Sequence, residues 1–518
     1  MSLFQYLFLS IFVFLTQIMT KLKSLLNNQY FFPALMLYYG IFYILFGETY
    51  PFNGGLSTDG FVFASFIPDF TKSRFFDTYY AQRILPSMLV GVFLKLLSIN
   101  ATEQNIYTAF QILNLVSIVV SCYFFKQLLL WFKISLKNQV LAFLLLLFNF
   151  GVIKYPFYLP VMTDTFALML SIALLYFYLK NNIQSIIICT LLLAFTWPMA
   201  YYQGLILIAF PICILPFSPA LKWQKILVYG ISILYISFLS IYFIFIENRD
   251  MTLDFVMKID RNLLPLSILS IVLIYFFFAK LFLNKTLLNL SLFIEKINYK
   301  RLLLSFLVFA SVYIIIQMLH PKPNPRYTTE QTLRDPIVYS LIKPLISIVA
   351  DTSYFGVIVC LLLIFWSSFC KILYQMGWGL VAALGLNLFL FGITPQSRHL
   401  INILPWLIIF LVKAINKYSF STSFYLVTGL LSLVASKVWL LLNIYEGNAS
   451  GNFDKNGSMD FPDQILWMNI GPWMSEQMYY VQGGVMILFT GVLFFMLYKV
   501  EVDKYNKLHI IPKFKVSK

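Results

Sequence analysis

The stretch YPFYLPVMTDTFALMLSIALLYFYLK, residues 155–180, contains the pattern that decides the fold. After Asp164 it continues as an uncharged apolar run to residue 179, and a helix crossing a bilayer takes about 20 such residues. Pro156 and Pro160 precede the acid, and proline interrupts a helix that would otherwise continue through it. The stretch therefore predicts a membrane helix that begins at an acidic residue.

The whole chain shares this apolar character. Of its 518 residues, 60% are hydrophobic, 19% aromatic and 11% charged. Soluble domains carry roughly 45–50% apolar and about 25% charged residues, so an ordinary soluble enzyme and a disordered chain are both excluded. We predict an all-α fold, a single integral-membrane domain over 1–518 with about 13–15 spans. The apolar segments are 30–47, 107–130, 139–153, 164–179, 184–198, 200–217, 225–246, 263–284, 302–319, 353–372, 374–393, 399–415, 422–445 and 481–498.

The net charge of +16 indicates orientation in the membrane. With the Lys21/Lys23 loop in the cytoplasm and sides alternating, inner segments carry roughly +19 and outer segments roughly −4, the positive-inside pattern. Lys437, within an apolar segment, completes the total. The basic tail, 499–518, then lies in the cytoplasm, and the basic excess does not indicate a nucleic-acid partner. Residues 3–20 remain open as an extra span, an uncleaved signal-like segment or an over-extended start.

This topology predicts three long extracytoplasmic loops, 48–106, 320–351 and 446–480. The first alternates short amphipathic stretches with polar clusters, which predicts interfacial helices, including one over 83–98. The second is rich in proline and contains Arg326. It is either a solvated connector or a cover over a cavity.

Four polar residues at the predicted outer face are candidates for function. Asp59 precedes a glycine and is either a turn residue or a reactive carboxylate. Asp164 is either a helix N-cap or a second carboxylate aimed at the same cavity. Arg398 and His399 are either interfacial anchors or an anion site. A carboxylate can take a proton from an attacking hydroxyl, and arginine binds phosphate bidentately.

Four motifs in this order resemble those of the GT-C superfamily, polytopic membrane glycosyltransferases that use polyprenyl-phosphate sugars, and in particular its bacterial members. They are TDG at 58–60, YYAQRILPSMLV at 79–90, LPVMTDTFALML at 159–170 and RHLINILP at 398–405. The second resembles the block YYxRRxLPPLL, with Gln82 in place of an arginine and Ser87 in place of a proline. The likeness covers the first ~180 residues and, beyond them, only the general plan.

The resemblance implies an inverting transfer of sugar to an acceptor hydroxyl, with Asp59 as general base and Asp164 as second catalytic acid. It implies substrate binding by Arg83, Arg398, His399, Tyr79, Tyr80, Gln82 and Arg326, where the tyrosines either stack on sugar or mark the membrane interface. Some members use a divalent metal, Mg or Mn, which Asp59 and Asp164 would hold. The implied partners are a polyprenyl-phosphate sugar donor, a lipid or glycan acceptor and membrane lipids. The implied location is the bacterial inner membrane, with an extracytoplasmic active site.

Two other classes of function remain open. One is a polysaccharide repeat-unit polymerase or lipid-linked glycan flippase, and the other is a transporter. A transporter predicts broken helices and charged groups near the membrane midplane. The sequence shows few charges within its apolar segments, which favours a site at the membrane surface.

Overall fold

A computed structural model describes residues 24–50, 55–69, 78–241, 260, 262–319, 329–442, 471, 474 and 476–497. The fold is helical, at 76% helix, and the described residues form no strand. The helices are α1 (Phe31–Phe46), α2 (Ser57–Ser65), α3 (Thr78–Ala81), α4 (Leu85–Leu96), α5 (Glu103–Trp131), α6 (Leu136–Leu147), α7 (Phe150–Ile153), α8 (Tyr155–Tyr158), α9 (Asp164–Leu179), α10 (Ile183–Ala194), α11 (Pro198–Ala209), α12 (Lys222–Ile241), α13 (Leu264–Ala279), α14 (Leu290–Lys296), α15 (Tyr299–Leu319), α16 (Thr329–Leu341), α17 (Ile346–Phe355), α18 (Val357–Tyr374), α19 (Trp378–Phe391), α20 (Leu404–Ile415), α21 (Thr422–Ser436) and α22 (Glu476–Leu497).

The prediction of an all-α protein is confirmed, and a helix occupies each predicted apolar segment. Within the described ranges, five helices are long and apolar enough to cross a membrane, or six if the bent pair α6 and α7–α8 counts as one span. Several further apolar helices have 10–17 residues. Two of the long helices, α15 and α22, bury only 17% of their apolar window. Such exposed apolar surface is compatible with contact with lipid in an integral membrane protein.

The predicted outer loops contain more helix than their composition indicates. Helices α2, α3 and α4 lie within 48–106, and α4 occupies the stretch 83–98, where a helix was predicted. The range 320–351 contains α16 and most of α17, where the sequence predicted a proline-rich loop. Helix α17 is buried from its first residue to its last, so burial explains why this part of the range forms a helix. Residues 3–20 and 499–518, and most of 446–480, lie outside the described residues.

A broken helix leads into Asp164. Helix α6 and the pair α7–α8 meet at a bend of 74°. The buried side chain of Asn149 closes the break: its Oδ1 accepts from the Val152 amide at 3.1 Å, and its Nδ2 donates to the Leu146 carbonyl at 2.7 Å. The chain from Pro156 to Pro160 then has carbonyls without helical partners. Inside a membrane such groups must be satisfied by the protein itself.

Three polar side chains of α5 satisfy these carbonyls. The Tyr107 hydroxyl donates to the carbonyls of Phe157 and Tyr158 at 3.1 and 3.0 Å, and Gln111 Nε2 donates to Phe157 at 2.8 Å. Asn114 Nδ2 donates to the carbonyls of Pro156 and Pro160 at 2.8 and 3.0 Å. The three donors stand at i, i+4 and i+7, so they share one face of α5. We call Tyr107, Gln111 and Asn114 the carbonyl clamp.

A second set of contacts holds the segment between α19 and α20, which includes a 3-10 turn over Ser397–Leu400. Asn402 Nδ2 donates to Gln203 Oε1 at 3.1 Å and to Asn387 Oδ1 at 3.2 Å. On α9, the Ser171 hydroxyl donates to the Asn402 carbonyl. These contacts hold the segment that follows the turn against the middle of α9.

Asn114→Leu should destabilise the protein, because it keeps the branched shape of the side chain but removes the donor to the buried Pro156 carbonyl. The Pro160 carbonyl keeps a bond from the Met162 amide at 2.7 Å. The expected loss is about 1–3 kcal/mol of unfolding free energy, measured by denaturant titration in detergent. Asn105→Leu on the same helix is the control, since its Nδ2 bond to the Asn100 carbonyl is exposed. Equal stability of the two variants would contradict the role of the clamp.

Candidate active site

The centre of the site is an ion pair between residues that are far apart in the sequence. Asp59, in the first turn of α2, and Arg398, in the 3-10 turn before α20, are 339 positions apart. Arg398 Nη2 lies 3.2 Å from Asp59 Oδ2. The Tyr80 hydroxyl donates to the other carboxylate oxygen of Asp59 at 3.1 Å. Asp59 and Arg398, both predicted from sequence, therefore meet, and Asp59 is not merely a turn residue.

A second arginine lies beside the first. Arg83 Nη1 donates to the Tyr79 hydroxyl at 2.6 Å, and Arg398 Nη2 approaches the same hydroxyl at 3.5 Å. The Arg83 guanidinium also stacks at 3.9 Å from the centre of the Tyr79 ring and 4.5 Å from that of Trp197. Aromatic faces of this kind hold guanidinium groups in low-dielectric surroundings. Two cationic groups thus converge on one tyrosine, an arrangement suited to an anion.

Asp164 adds a buried carboxylate to this group. It is the first residue of α9 and is 3% exposed, and it interacts electrostatically with Arg398, Arg83 and Asp59. Its Oδ1 has no hydrogen-bond partner within the described ranges. The N-cap position belongs to Thr163, and no side chain caps this helix through a hydrogen bond. These observations favour the second-carboxylate interpretation of Asp164 over the capping one.

His399 lies in the cluster as an uncharged group. Its ring packs edge-on against Phe391 and Trp197, with centroids 5.2 and 6.3 Å away. Burial, together with the guanidinium groups of Arg398 and Arg83, lowers the pKa of His399 well below its usual range. The imidazole can therefore donate a hydrogen bond to an anion but does not add a positive charge.

The contacts of the described residues do not bring two of the predicted residues into the cluster. Gln82 is half-buried in the turn before Arg83, and Arg326 lies outside the described residues. The tyrosine pair positions other side chains, since Tyr79 holds both arginines and Tyr80 holds Asp59.

Several residues of the cluster were not predicted. Trp197 lies at the start of α11, and Tyr155 lies in the broken segment, where its hydroxyl interacts with Arg398. Tyr354 and Asp351 belong to α17. Asp351 is the last residue of the predicted loop 320–351, whereas Tyr354 lies in the predicted apolar segment 353–372. The signal that could have found Asp351 is an acid within the apolar run 345–358.

The donor set does not fit a resident divalent metal. Within the described part of the chain, no three or more His, Cys, Asp or Glu side chains are grouped so as to hold an ion. Both oxygens of Asp59 already contact Tyr80 or Arg398. We therefore derive no catalytic step through Mg or Mn.

No known protein family, curated protein or solved structure matches this chain.

Asp59→Asn and Arg398→Gln should show strong energetic coupling, because removing one partner leaves the other charge poorly solvated. A double-mutant cycle on unfolding free energy in detergent should give about 1–3 kcal/mol of coupling. The exposed pair Glu295 and Lys296, at 3.5 Å, is the matched control and should give about 0–1 kcal/mol. Additive effects of the first pair would contradict a tight ion pair.

Asp351→Asn should stabilise the protein increasingly as pH rises. Burial raises the pKa of Asp351 to about 8, whereas an unfolded aspartate titrates near ~3.9. Between these values the unfolded state has lost the proton and the folded state keeps it, so wild-type stability falls by about 1.4 kcal/mol per pH unit through this group. The advantage of the variant should grow by about 3 kcal/mol from pH 5 to pH 7. The contributions of other titrating groups cancel when the two proteins are compared at the same pH. A difference in unfolding free energy that does not change with pH would contradict the prediction.

Proposed function

We propose that the protein is an integral-membrane glycosyltransferase. It moves a sugar from a polyprenyl-phosphate donor to an acceptor hydroxyl, with inversion, at the extracytoplasmic face. The observation that supports this best is the Asp59–Arg398 pair, at 3.2 Å, beside a second arginine and a buried carboxylate. The resemblance of the four motifs to the GT-C superfamily supports it as well.

The two arginines bind the donor phosphate in this proposal. The phosphodiester of the donor carries one negative charge, as a carboxylate does, and its two non-bridging oxygens can accept bidentate bonds from a guanidinium. It displaces Asp59 from Arg398, and Arg83 contributes the second guanidinium. Neutral His399 donates a further hydrogen bond. Donor binding thus frees the carboxylate that the reaction needs.

The freed Asp59 carboxylate then acts as general base. The acceptor oxygen attacks the anomeric carbon, and its proton passes to Asp59. The bond between that carbon and the phosphate oxygen breaks, and its electron pair leaves with polyprenyl phosphate. The guanidinium groups stabilise the charge that builds on this leaving group. Asp164 orients the acceptor hydroxyl as the second acid.

The proposal includes the predicted topology. The shorter apolar helices add to the long ones to give about 13–15 spans. The positive-inside pattern places the basic C-terminal tail in the cytoplasm and the charged cluster outside, in a bacterial inner membrane. The partners are the polyprenyl-phosphate donor, a lipid or glycan acceptor and membrane lipids.

One observation favours a flippase or transporter as a second candidate. The broken helix at Asn149 and the buried Lys154–Glu48 pair, at 2.9 Å, are features that the sequence did not predict. Transporters use such breaks to expose backbone carbonyls to their cargo. Here the carbonyl clamp already occupies these carbonyls, and Lys154 also donates to the Leu440 carbonyl. The break therefore supports the neighbouring site better than it supports a transport path.

Transfer by the purified protein, reconstituted with defined polyprenyl-phosphate hexoses and pentoses, tests the proposal. Release of polyprenyl phosphate is measured with a membrane lipid extract as acceptor. Asp59→Asn should lower the rate by roughly 10²–10⁴-fold, the range for loss of a general base. Asp335→Asn, whose carboxylate pairs with Arg334 at 3.1 Å, is the control and should transfer at the wild-type rate.

Wild-type rates with Asp59→Asn would overturn the role of this carboxylate. Absence of transfer with every donor, combined with movement of labelled lipid across vesicles, would favour the second candidate.

A further inference from the structure

Helix α17 brings two polar side chains to the edge of the arginine cluster. Asp351 and Tyr354 are three positions apart, so they lie on one face of the helix. The Tyr354 side chain interacts electrostatically with Tyr155, Asp164 and Arg398. Asp351 interacts with the hydroxyl of Ser397, the residue before Arg398. We call Asp351 and Tyr354 the α17 face.

The position of Tyr354 is closely defined by its neighbours. Its ring packs edge-on against Phe150 and Tyr155, with centroids 5.8 and 6.0 Å away. A Cβ at Gly151 would lie only 2.3 Å from Tyr354 Cε1. Glycine at this position therefore leaves the space that the tyrosine ring fills, and contacts with the broken helix determine where the ring lies.

Polar atoms around this face are buried without a protein partner. These are the Tyr354 hydroxyl, Asp351 Oδ1 and Asp164 Oδ1, none of which has a hydrogen-bond partner in the described part of the chain. The three residues are 2%, 5% and 3% exposed. Each buried polar atom without a partner opposes folding. Their concentration beside the arginines indicates a polar ligand.

The chemistry of these groups matches hydroxyls better than a second ion. Burial raises the pKa of Asp351 to about 8, so near neutral pH this side chain is mainly a carboxylic acid that can donate a hydrogen bond. The hydroxyls of Tyr354 and Ser397 both donate and accept, and the oxygens of Asp164 accept. Sugar hydroxyls also donate and accept, so this mixture can satisfy several of them.

We propose that Asp351 and Tyr354, which lie beside Asp164, form a subsite for the hydroxyl groups of the donor's sugar ring. The subsite lies beside the arginines that bind phosphate, and it rests on the proposed function. In this arrangement the arginines recognise the lipid phosphate, and the α17 face recognises the sugar. The two parts of the donor are therefore bound by different residues, which makes them separable by experiment.

The test compares binding of a polyprenyl-phosphate hexose with binding of bare polyprenyl phosphate to purified protein in detergent. Tyr354→Phe removes only an unpartnered hydroxyl and keeps the ring. It should weaken binding of the sugar-bearing lipid by roughly three- to tenfold, the range for one lost hydrogen bond, and leave binding of bare polyprenyl phosphate unchanged. Asp351→Leu should show the same selectivity. Arg398→Gln should weaken binding of both lipids.

Tyr43→Phe is the matched control. Its hydroxyl is likewise buried without a partner in the described structure, and it lies on α1, near Glu48. It should bind both lipids as the wild type does. Thermal unfolding of each variant shows whether it is folded.

The outcomes separate the inference from the proposed function. If wild-type protein binds neither lipid, the proposed function fails, and the subsite with it. Suppose instead that wild-type protein binds the donor and that both variants, Tyr354→Phe and Asp351→Leu, are folded. If these variants bind both lipids as the wild type does, or lose affinity for both lipids equally, the subsite is wrong while the glycosyltransferase proposal stands.

Discussion

The structure depends on how the carbonyl groups of one irregular segment are satisfied inside a helix bundle. Between Pro156 and the start of α9, the carbonyls of Pro156, Phe157 and Tyr158 lack the helical partners that the preceding turns have. In hydrocarbon each unpaired group would cost several kcal/mol. The carbonyl clamp of α5 supplies the donors instead. Because α9 begins immediately after this segment, the clamp also determines where Asp164 lies.

The charged cluster follows from a second requirement, that buried charges be balanced. Two guanidinium groups, of Arg83 and Arg398, face two carboxylates, of Asp59 and Asp164. Tyrosine hydroxyls and the rings of Tyr79 and Trp197 hold the groups in place. Such an arrangement is costly if one partner is removed, yet an incoming phosphate can replace a carboxylate without leaving an arginine unpaired. Local balance of charge thus makes exchange of an anion possible.

The helices were predictable from sequence because each membrane helix needs its own continuous run of apolar residues, which is visible within that segment alone. Asp59, Arg83 and Arg398 were predictable as candidate site residues from motif resemblance. The contact between Asp59 and Arg398 was not predictable, since it joins residues 339 positions apart. Helix α17 was not predicted because the prolines and charged residues that precede it indicated a loop. The donors at 107, 111 and 114 form an i, i+4, i+7 pattern of polar residues on an apolar helix, which the sequence shows. The carbonyls that accept from them could not be predicted, because the positions of prolines do not define the path of a broken helix.

The central claim is that the charged cluster lies at the end of the bundle that faces away from the cytoplasm, and labelling of two single cysteines in intact cells tests it most directly. Gln104 and Gln184 are exposed, and each is the second residue of its helix, α5 or α10. Gln104 lies at the end that holds the cluster, and Gln184 follows α9 at the opposite end. A membrane-impermeant thiol reagent should label Gln104→Cys in intact cells and Gln184→Cys only after lysis. Labelling of Gln184→Cys alone in intact cells would contradict the account.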